Sequence, residues 1–336
     1  MRRGLACFLL AVWVFSLCAC AQEKEKYTSY SFEYFDTVTS ITGYAQSRAE
    51  FDAVCAEVYE ILGEYHRLYD IYHTYGGINN LRTVNEAEGK AVEVDTKIID
   101  LLEYAKSAYE LTGGYTNAAM GSVLSIWHEY RETGEGVPDM VALRRAACHT
   151  DINNIIINKE ESTVCLDDAE MKIDVGALAK GYAAEMAVRA LEARGVSGYI
   201  LNVGGNVCVL GAKADGGAWT VGIEDPSGDG YVEYLSLTGG AVVTSGSYQR
   251  FYYVDGVRYH HIISPDTLMP ENTYVSVTVV AQSSALGDAL STALFSMEQS
   301  EGLALIESID VAEAMWVYAS GEKIYSSNFA KFILKK

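Results

Sequence analysis

Apolar residues recur with helical spacing in several stretches of the chain. In the clearest case, seven apolar side chains between positions 49 and 68 fall on one stripe of a helix. Asp95 is a suitable N-cap for a second helix, and Gly113 follows the end of that helix. The pattern predicts helices over residues 49–68, 98–111, 178–194 and 284–297, and a last helix before residue 314.

Alternating or β-branched runs bounded by glycine predict strands. Residues 275–281 form the most strongly β-branched run, and Asp255-Gly256 predicts the turn of a hairpin. Residues 30–44 predict a single first strand, whereas residues 70–85 lack any period and predict a loop. The other predicted strands are 155–158, 164–166, 199–203, 219–223, 234–237, 242–244, 251–254, 259–263, 314–318 and 323–326.

The order of these elements bears on the fold class. Helices and strands do not alternate regularly, so the chain predicts an α+β fold with mixed or antiparallel sheets and packed helices. Neither a repeat nor a low-complexity linker divides residues 31–336, and one domain is therefore expected there.

The N-terminus has the pattern of an export signal. Two arginines precede a thirteen-residue apolar run, Leu5–Leu17, which is short for a bilayer span. A leucine three positions before Cys20 and a small residue directly before it resemble a bacterial lipobox. We expect a lipoprotein signal peptide over 1–19, lipidation of Cys20, a tether over 20–30 and a lipid anchor on the extracytoplasmic face of the cell membrane. A plain secretory signal or an uncleaved anchor is the alternative.

Composition narrows the classes of ligand. The chain has 25 Lys and Arg against 45 Asp and Glu, a formal net charge of −20. This balance disfavours a nucleic-acid-binding protein, which needs a basic face. An anionic small molecule could bind only where local groups reverse the negative field.

Cysteine usage gives no metal motif. After the signal and Cys20, four widely spaced cysteines remain without any CxxC pair, so a zinc site is disfavoured. Disulfides are permitted in an exported protein, but the spacing assigns no pair, and free thiols are favoured.

Three glycine-bearing segments carry candidate chemistry, although each is also compatible with plain turn formation. Residues 174–182 place small residues and Lys180 at a helix entry, where free amide groups and a cation suit a phosphate or an adenine edge. Residues 202–206 follow a strand, and residues 244–250 lead towards His260 and His261. Adjacent residues of a strand point to opposite faces, so only one of these histidines can face a given site.

Asp288 and Thr292 form a further candidate pair. Their spacing of four residues puts the carboxylate and the hydroxyl on one face of the predicted helix. Hard oxygen ligands of this kind suit Mg²⁺. Helix capping or a surface polar pair is the simpler alternative.

These segments together resemble a known family. In this order and spacing, DVGALAKGY, NVGGN, TSGSYQR, YHHIISP and DALSTALF are similar to the motifs of the ApbE family, the FAD:protein FMN transferases. FDTVTSITGY, YHTYGGINNLRTVN and YTNAAMGSVLSIW extend the resemblance to nearly the whole chain from Phe35 onward. The chain departs from the family pattern at residues 35–37, where Met-Gly-Thr is usual, at Asn117 and at Ser264, where the family carries Asp.

The resemblance implies an ApbE-like domain over residues 31–336 with Mg²⁺ as cofactor and FAD as substrate. Mg²⁺ would be held by the Ala177 carbonyl and the side chains of Asp288 and Thr292, with help from the Ser291 carbonyl. His261 would deprotonate the acceptor hydroxyl, which is a poor nucleophile without a base. The residues implied to contact FAD are Phe35, Tyr72, Tyr115, Thr116, Asn117, Asp174, Lys180, His261 and Ile262.

The implied reaction is the transfer of FMN from FAD to a Thr or Ser hydroxyl of an exported flavoprotein, with release of AMP. Hydrolysis of FAD to FMN and AMP uses the same motifs, with water as the acceptor. A lipoprotein that binds flavin without turnover is the alternative from another functional class.

Overall fold

The computed structural model describes residues 23–228 and 230–335. The expected signal peptide over 1–19 and Cys20 lie outside these residues. In the described part of the chain, no helix combines the length and the hydrophobicity that crossing a bilayer requires.

The described residues form helices and strands throughout. The helices are α1 (Arg48–Tyr69), α2 (Leu81–Asn85), α3 (Thr96–Leu111), α4 (Gly121–Thr133), α5 (Met140–Ala147), α6 (Ala179–Ala193), α7 (Ser284–Ser296) and α8 (Gln299–Glu307). The strands are β1 (Glu25–Ser31), β2 (Thr39–Ala45), β3 (Val92–Glu93), β4 (Ile155–Asn158), β5 (Thr163–Leu166), β6 (Tyr199–Val203), β7 (Asn206–Leu210), β8 (Trp219–Glu224), β9 (Tyr231–Leu237), β10 (Gly240–Gly246), β11 (Phe251–Val254), β12 (Val257–His260), β13 (Tyr274–Ala281), β14 (Ala312–Tyr318) and β15 (Lys323–Tyr325).

One large antiparallel sheet organises the fold. Its eight strands follow the order β1-β2-β6-β7-β10-β13-β14-β15, and every neighbouring pair is antiparallel. Three smaller antiparallel sheets, β3-β5-β4, β8-β9 and β11-β12, complete the structure. The predicted α+β class is therefore confirmed, with antiparallel pairing in every sheet described.

Both faces of the large sheet are buried at its centre. On one face Val243 and Val279 join the cores that include α1, α6 and α7. On the other face Val242 and Val280 pack with the β8-β9 sheet and Phe329 near the C-terminus. Strand β13 is accordingly buried along both faces, and even its polar residues Ser276 and Thr278 are buried.

The predicted helices over 49–68, 98–111, 178–194 and 284–297 are confirmed as α1, α3, α6 and α7 to within about two residues. The capping groups have the predicted role, since the Asp95 side chain accepts a hydrogen bond of 2.8 Å from the Lys97 amide. Free thiols are also confirmed for all four described cysteines, of which two are buried.

Several predicted helices, strands and loops were wrong or missing. Residues 30–44 form parts of two strands, β1 and β2, separated by turns. Residues 25–30, assigned to the tether, instead pair with β2 as the edge strand of the large sheet. The loop predicted over 70–85 contains the short helix α2, and helices α4 and α5 and strand β7 had no predicted counterpart. Helix α4 begins at a glycine without a side-chain cap, so its start carries no local signal.

The contact between α6 and α7 brings two glycine-bearing segments of the chain together. The Gly181 amide donates a 2.8 Å hydrogen bond to Asp288 Oδ2 across this contact. A Cβ atom at Gly181 would lie 2.4 Å from the Asp288 Cβ and 2.6 Å from the Ser284 carbonyl oxygen. Only glycine therefore lets the two helices approach this closely.

We expect Gly181→Ala to destabilise the fold by about 1–3 kcal/mol, because the added methyl forces a backbone shift in a packed core. Chemical denaturation of the folded domain measures this change. Gly239→Ala is the matched control, since a Cβ there meets nothing within 4 Å. Equal stability of the two variants would contradict the proposed close contact.

Candidate functional site

A single cavity of about 880 Å³ lies where α4, α6 and α7 meet the end of β10. Its volume falls in the range of about 300–1,000 Å³ that is usual for small-molecule and cofactor sites. The lining includes every residue predicted to contact FAD, which are Phe35, Tyr72, Tyr115, Thr116, Asn117, Asp174, Lys180, His261 and Ile262. Segments more than 200 residues apart in sequence are thus brought to one place.

One end of the cavity contains a buried carboxylate. Asp288 is 4% exposed, and within the described chain no Lys, Arg or His side chain pairs with it. Burial raises the pKa of this carboxyl group, while the positive charge of Lys180, the Gly181 amide and the Asn206 side chain act in the opposite direction. A buried carboxylate without a counter-charge is costly, so this position favours a bound cation.

Further oxygen donors lie beside Asp288. The Gly181 amide, which would bond to the Ala177 carbonyl in a regular helix, donates to Asp288 instead. Among the described residues no backbone amide takes its place, so the Ala177 carbonyl is free to bind a ligand. Ala177, Asp288 and Thr292 all line the cavity. A carboxylate, a hydroxyl and a carbonyl oxygen are the donors that Mg²⁺ prefers, and the residues present fit this ion.

Ser291 differs from the other predicted metal ligands, since it is not among the residues that line the cavity. Its hydroxyl lies 2.9 Å from Ser245 Oγ and donates to the Asp288 carbonyl at 3.2 Å. Ser245 Oγ also lies 3.5 Å from Thr292 Oγ1. The Ser291 side chain therefore supports Ser245, and the suggested role of its own carbonyl stays a prediction.

The two adjacent histidines separate as predicted. His260 is buried, donates from Nε2 to the Glu271 carbonyl at 2.5 Å and accepts from the Ile262 amide at Nδ1. His261 faces the cavity, and its buried Nδ1 has no hydrogen-bond partner in the described chain. Burial, followed by the positive charges of Arg250 and other nearby cations, lowers the pKa of His261 to about 3. Its ring is therefore neutral near pH 7 and can accept a proton.

Several of the residues predicted to contact FAD already have partners within the protein. Thr116 Oγ1 donates to the Ala289 carbonyl at 2.7 Å, which ties this segment to α7. The Asn117 side chain accepts from the Ala119 amide and donates to the Thr150 carbonyl. A ligand would meet these residues through their backbone and their remaining hydrogen-bonding capacity.

Sequence reasoning missed a second wall of the cavity. His128 on α4 stacks on the predicted Tyr72, with ring centroids 5.6 Å apart, and the Tyr72 hydroxyl lies 2.6 Å from His128 Nδ1. Arg131, one turn further along α4, also lines the cavity. These residues were missed because α4 was not predicted, and its apolar pattern would have been the only signal for it.

Hydrogen bonds to the Asp70 side chain fix the loop that carries Tyr72. The Asp70 carboxylate accepts from the amides of Tyr72 and His73 and from the Tyr75 hydroxyl. Although burial acts in the opposite direction, these hydrogen bonds keep the pKa of Asp70 below its ordinary value. The exposed Tyr72 ring is thereby fixed at the cavity wall despite lying in a loop.

The cavity lining contains three cations together with four carboxylates, Asp36, Asp70, Asp174 and Asp288. The cations are Lys180, Arg131 and Arg250, and none of the three forms an ion pair with a carboxylate of the described residues. In a chain with a net charge of −20, unpaired cations that converge on one cavity favour an anionic ligand.

Comparison with known proteins gives a consistent result. The sequence model of the ApbE family matches residues 35–316. The FAD:protein FMN transferase of Treponema pallidum (strain Nichols) is 36% identical over 255 residues, which cover 71% of this chain and 70% of that protein. The FAD:protein FMN transferase of Klebsiella pneumoniae (strain 342) is 30% identical over 280 residues, which cover 82% and 85% of the two chains.

Solved structures share the fold. The ApbE protein from Thermotoga maritima superposes with a TM-score of 0.83 at 28% identity, covering 93% of this chain and 100% of that one. The flavin transferase ApbE from Vibrio cholerae gives a TM-score of 0.78 at 25% identity, with coverage of 92% and 99%.

The low pKa of His261 predicts a pH-dependent stability. Between about pH 3 and the ordinary histidine value of 6.5, the unfolded chain binds a proton at this position that the folded chain does not. The stability that the neutral His261 contributes to the folded state is therefore fully present above pH 6.5 and is lost as the pH falls towards 3. We expect His261→Gln to reduce the loss of unfolding free energy on acidification, measured by denaturation at several pH values. An equal pH dependence in both proteins would contradict the low pKa.

Proposed function

The chain belongs to the ApbE family, and on this premise we propose that it is an FAD:protein FMN transferase that acts on a Thr or Ser hydroxyl of an exported flavoprotein and releases AMP. This proposal rests on one observation. All nine residues predicted to contact FAD line the same cavity as the oxygen donors Ala177, Asp288 and Thr292. The unpaired cations of the cavity support an anionic dinucleotide as substrate.

Mg²⁺ is proposed to bind the Ala177 carbonyl, the Asp288 carboxylate and the Thr292 hydroxyl. When bound, the ion would neutralise negative charge on the phosphates as the pyrophosphate bond breaks. Lys180 acts from the same side, because its ammonium group lines the cavity and influences both Asp288 and His261.

His261 is proposed to accept the proton of the acceptor hydroxyl. As the oxygen of that hydroxyl bonds to the phosphorus of the FMN half, the bond from this phosphorus to the bridging oxygen breaks and AMP leaves with that oxygen. His261 lines the cavity and its ring is neutral near pH 7, so the ring can take up this proton. Phosphates of bound FAD would offset the positive charges around His261 and so raise its basicity.

Tyr72 and His128 are proposed to orient a planar ring of the substrate. Their stacked pair presents an aromatic surface at the cavity, and Tyr72 remains 48% exposed. An exposed aromatic ring that is already held in place loses little entropy when it stacks on a ligand.

Incubation of the folded domain with FAD, Mg²⁺ and a flavoprotein acceptor should increase the mass of the acceptor by that of FMN and release one AMP. Mass spectrometry of the acceptor and chromatography of the nucleotides measure both products. An acceptor whose target threonine is replaced by alanine is the control. Free FMN and AMP with an unmodified acceptor would instead indicate hydrolysis, and intact FAD would indicate a binding protein.

Two variants test the metal ligand and the general base separately in this assay. Asp288→Asn keeps the size of the side chain but removes its charge, and we expect Mg²⁺-dependent turnover to be abolished. His261→Ala should retain FAD binding and slow transfer by about 10²–10⁴-fold, the usual contribution of a general base. Undiminished transfer by either variant would contradict the role proposed for that residue.

We further propose that the mature protein is held to the extracytoplasmic face of the membrane by lipid on Cys20. Strand β1 begins at Glu25, so the tether between lipid and domain would comprise about four residues. Cys20→Ser should abolish incorporation of labelled palmitate and release the protein from the membrane fraction. A membrane-bound, unlabelled variant would indicate an uncleaved anchor instead.

A further inference from the structure

The helices α6 and α7 cap each other's N-terminal turns. Helix α6 has no side-chain cap of its own at Leu178, and its Gly181 amide is satisfied by Asp288 of α7 at 2.8 Å. In return, the Ser284 amide in the first turn of α7 donates to Glu185 Oε2 of α6 at 2.9 Å. Unsatisfied amides at a helix start need such partners, and here each helix provides one for the other.

The spacing of the two contacts is the same on both helices. Gly181 and Glu185 are four residues apart on α6, and Ser284 and Asp288 are four residues apart on α7. Four residues advance a helix by about 6 Å, so the contacts form two successive rungs between antiparallel helices. A slide or rotation of α7 relative to α6 would break both rungs together.

The proposed metal site continues this spacing in the sequence, although Ala177 precedes the first turn of α6. Four residues before Gly181 is Ala177, and four residues after Asp288 is Thr292. These two residues line the cavity, where the Ala177 carbonyl accepts no backbone hydrogen bond from the described residues. The unpaired Ala177 carbonyl and the Thr292 side chain thus belong to the cavity in which the cation is proposed to bind.

We propose that Glu185 is a positioning residue for the metal site, which it acts on through α7 without lining the cavity. This inference rests on the proposed function. Glu185 is 8% exposed, and its second oxygen accepts from Arg189 Nε at 2.9 Å, which fixes the orientation of the carboxylate. By holding the first turn of α7, Glu185 sets the position of Asp288 and Thr292 relative to Ala177.

The experiment separates the reach of the side chain from its charge. Glu185→Gln keeps an oxygen acceptor at the same reach, whereas Glu185→Asp keeps the charge but is one methylene shorter. We expect the Mg²⁺ dissociation constant to stay within about 3-fold of wild type in the Gln variant and to rise about 10-fold in the Asp variant, as is usual for groups that orient metal ligands. Isothermal titration calorimetry of the full folded domain measures this dissociation constant, at a temperature below the melting temperature of every variant.

Two controls distinguish positioning of the metal ligands by Glu185 from a general effect on the fold. Glu192→Gln changes an exposed glutamate of the same helix and should leave Mg²⁺ binding unchanged. FAD binding measured in EDTA should be the same in all variants, because Glu185 does not line the cavity.

The possible results decide between the proposals. Wild-type Mg²⁺ affinity in the Asp variant with only a lower melting temperature would overturn the positioning role, and so would weak binding in the Gln variant with normal binding in the Asp variant. Absence of Mg²⁺ binding by the wild type would overturn the proposed metal site itself and the positioning role with it.

Discussion

The close antiparallel contact of α6 and α7 is the constraint on which the cavity depends. It exists because Gly181 has no side chain at the point where Asp288 and the Ser284 carbonyl approach. The hydrogen bond from Gly181 to Asp288 satisfies a helix amide and simultaneously frees the Ala177 carbonyl. A single contact therefore stabilises two helix ends and leaves an oxygen donor unpaired, which is the condition a metal site requires.

The charge distribution follows from the same arrangement. A chain with a net charge of −20 would repel a dinucleotide at most of its surface. In this cavity three cations without carboxylate partners among the described residues lie together with four carboxylates. Burial raises the pKa of Asp288, so a cation bound beside it would stabilise the ionised carboxylate. Net acidity and an anionic substrate are compatible where unpaired cations and the proposed Mg²⁺ lie close to the phosphates, because a nearby charge acts more strongly than a distant, screened one.

Two of the six non-glycine residues with a positive φ in the described chain line the cavity. Phe35 and Asp36 adopt φ values of 54° and 50°, in the left-handed region that favours glycine, and the family pattern has Gly at position 36. The Phe35 amide donates to His66 Nδ1 at 3.2 Å, which holds this turn against α1. The surrounding structure thus maintains a conformation that the local sequence disfavours, as is common at ligand sites.

The sequence by itself determined the long helices, most strands, the α+β class and the order of the motifs, because period, caps and glycine positions act locally. Residue type and spacing also singled out Asp288, Thr292 and Lys180, whereas the choice of His261 over His260 came from the resemblance to the ApbE family. Only the tertiary structure decided that these residues share one cavity, that His128 and Arg131 form its other wall and that Glu185 aligns α7. Those relations depend on contacts between segments that are far apart in sequence, in the cavity by more than 200 residues. No local pattern in a chain records which of its elements will pack together.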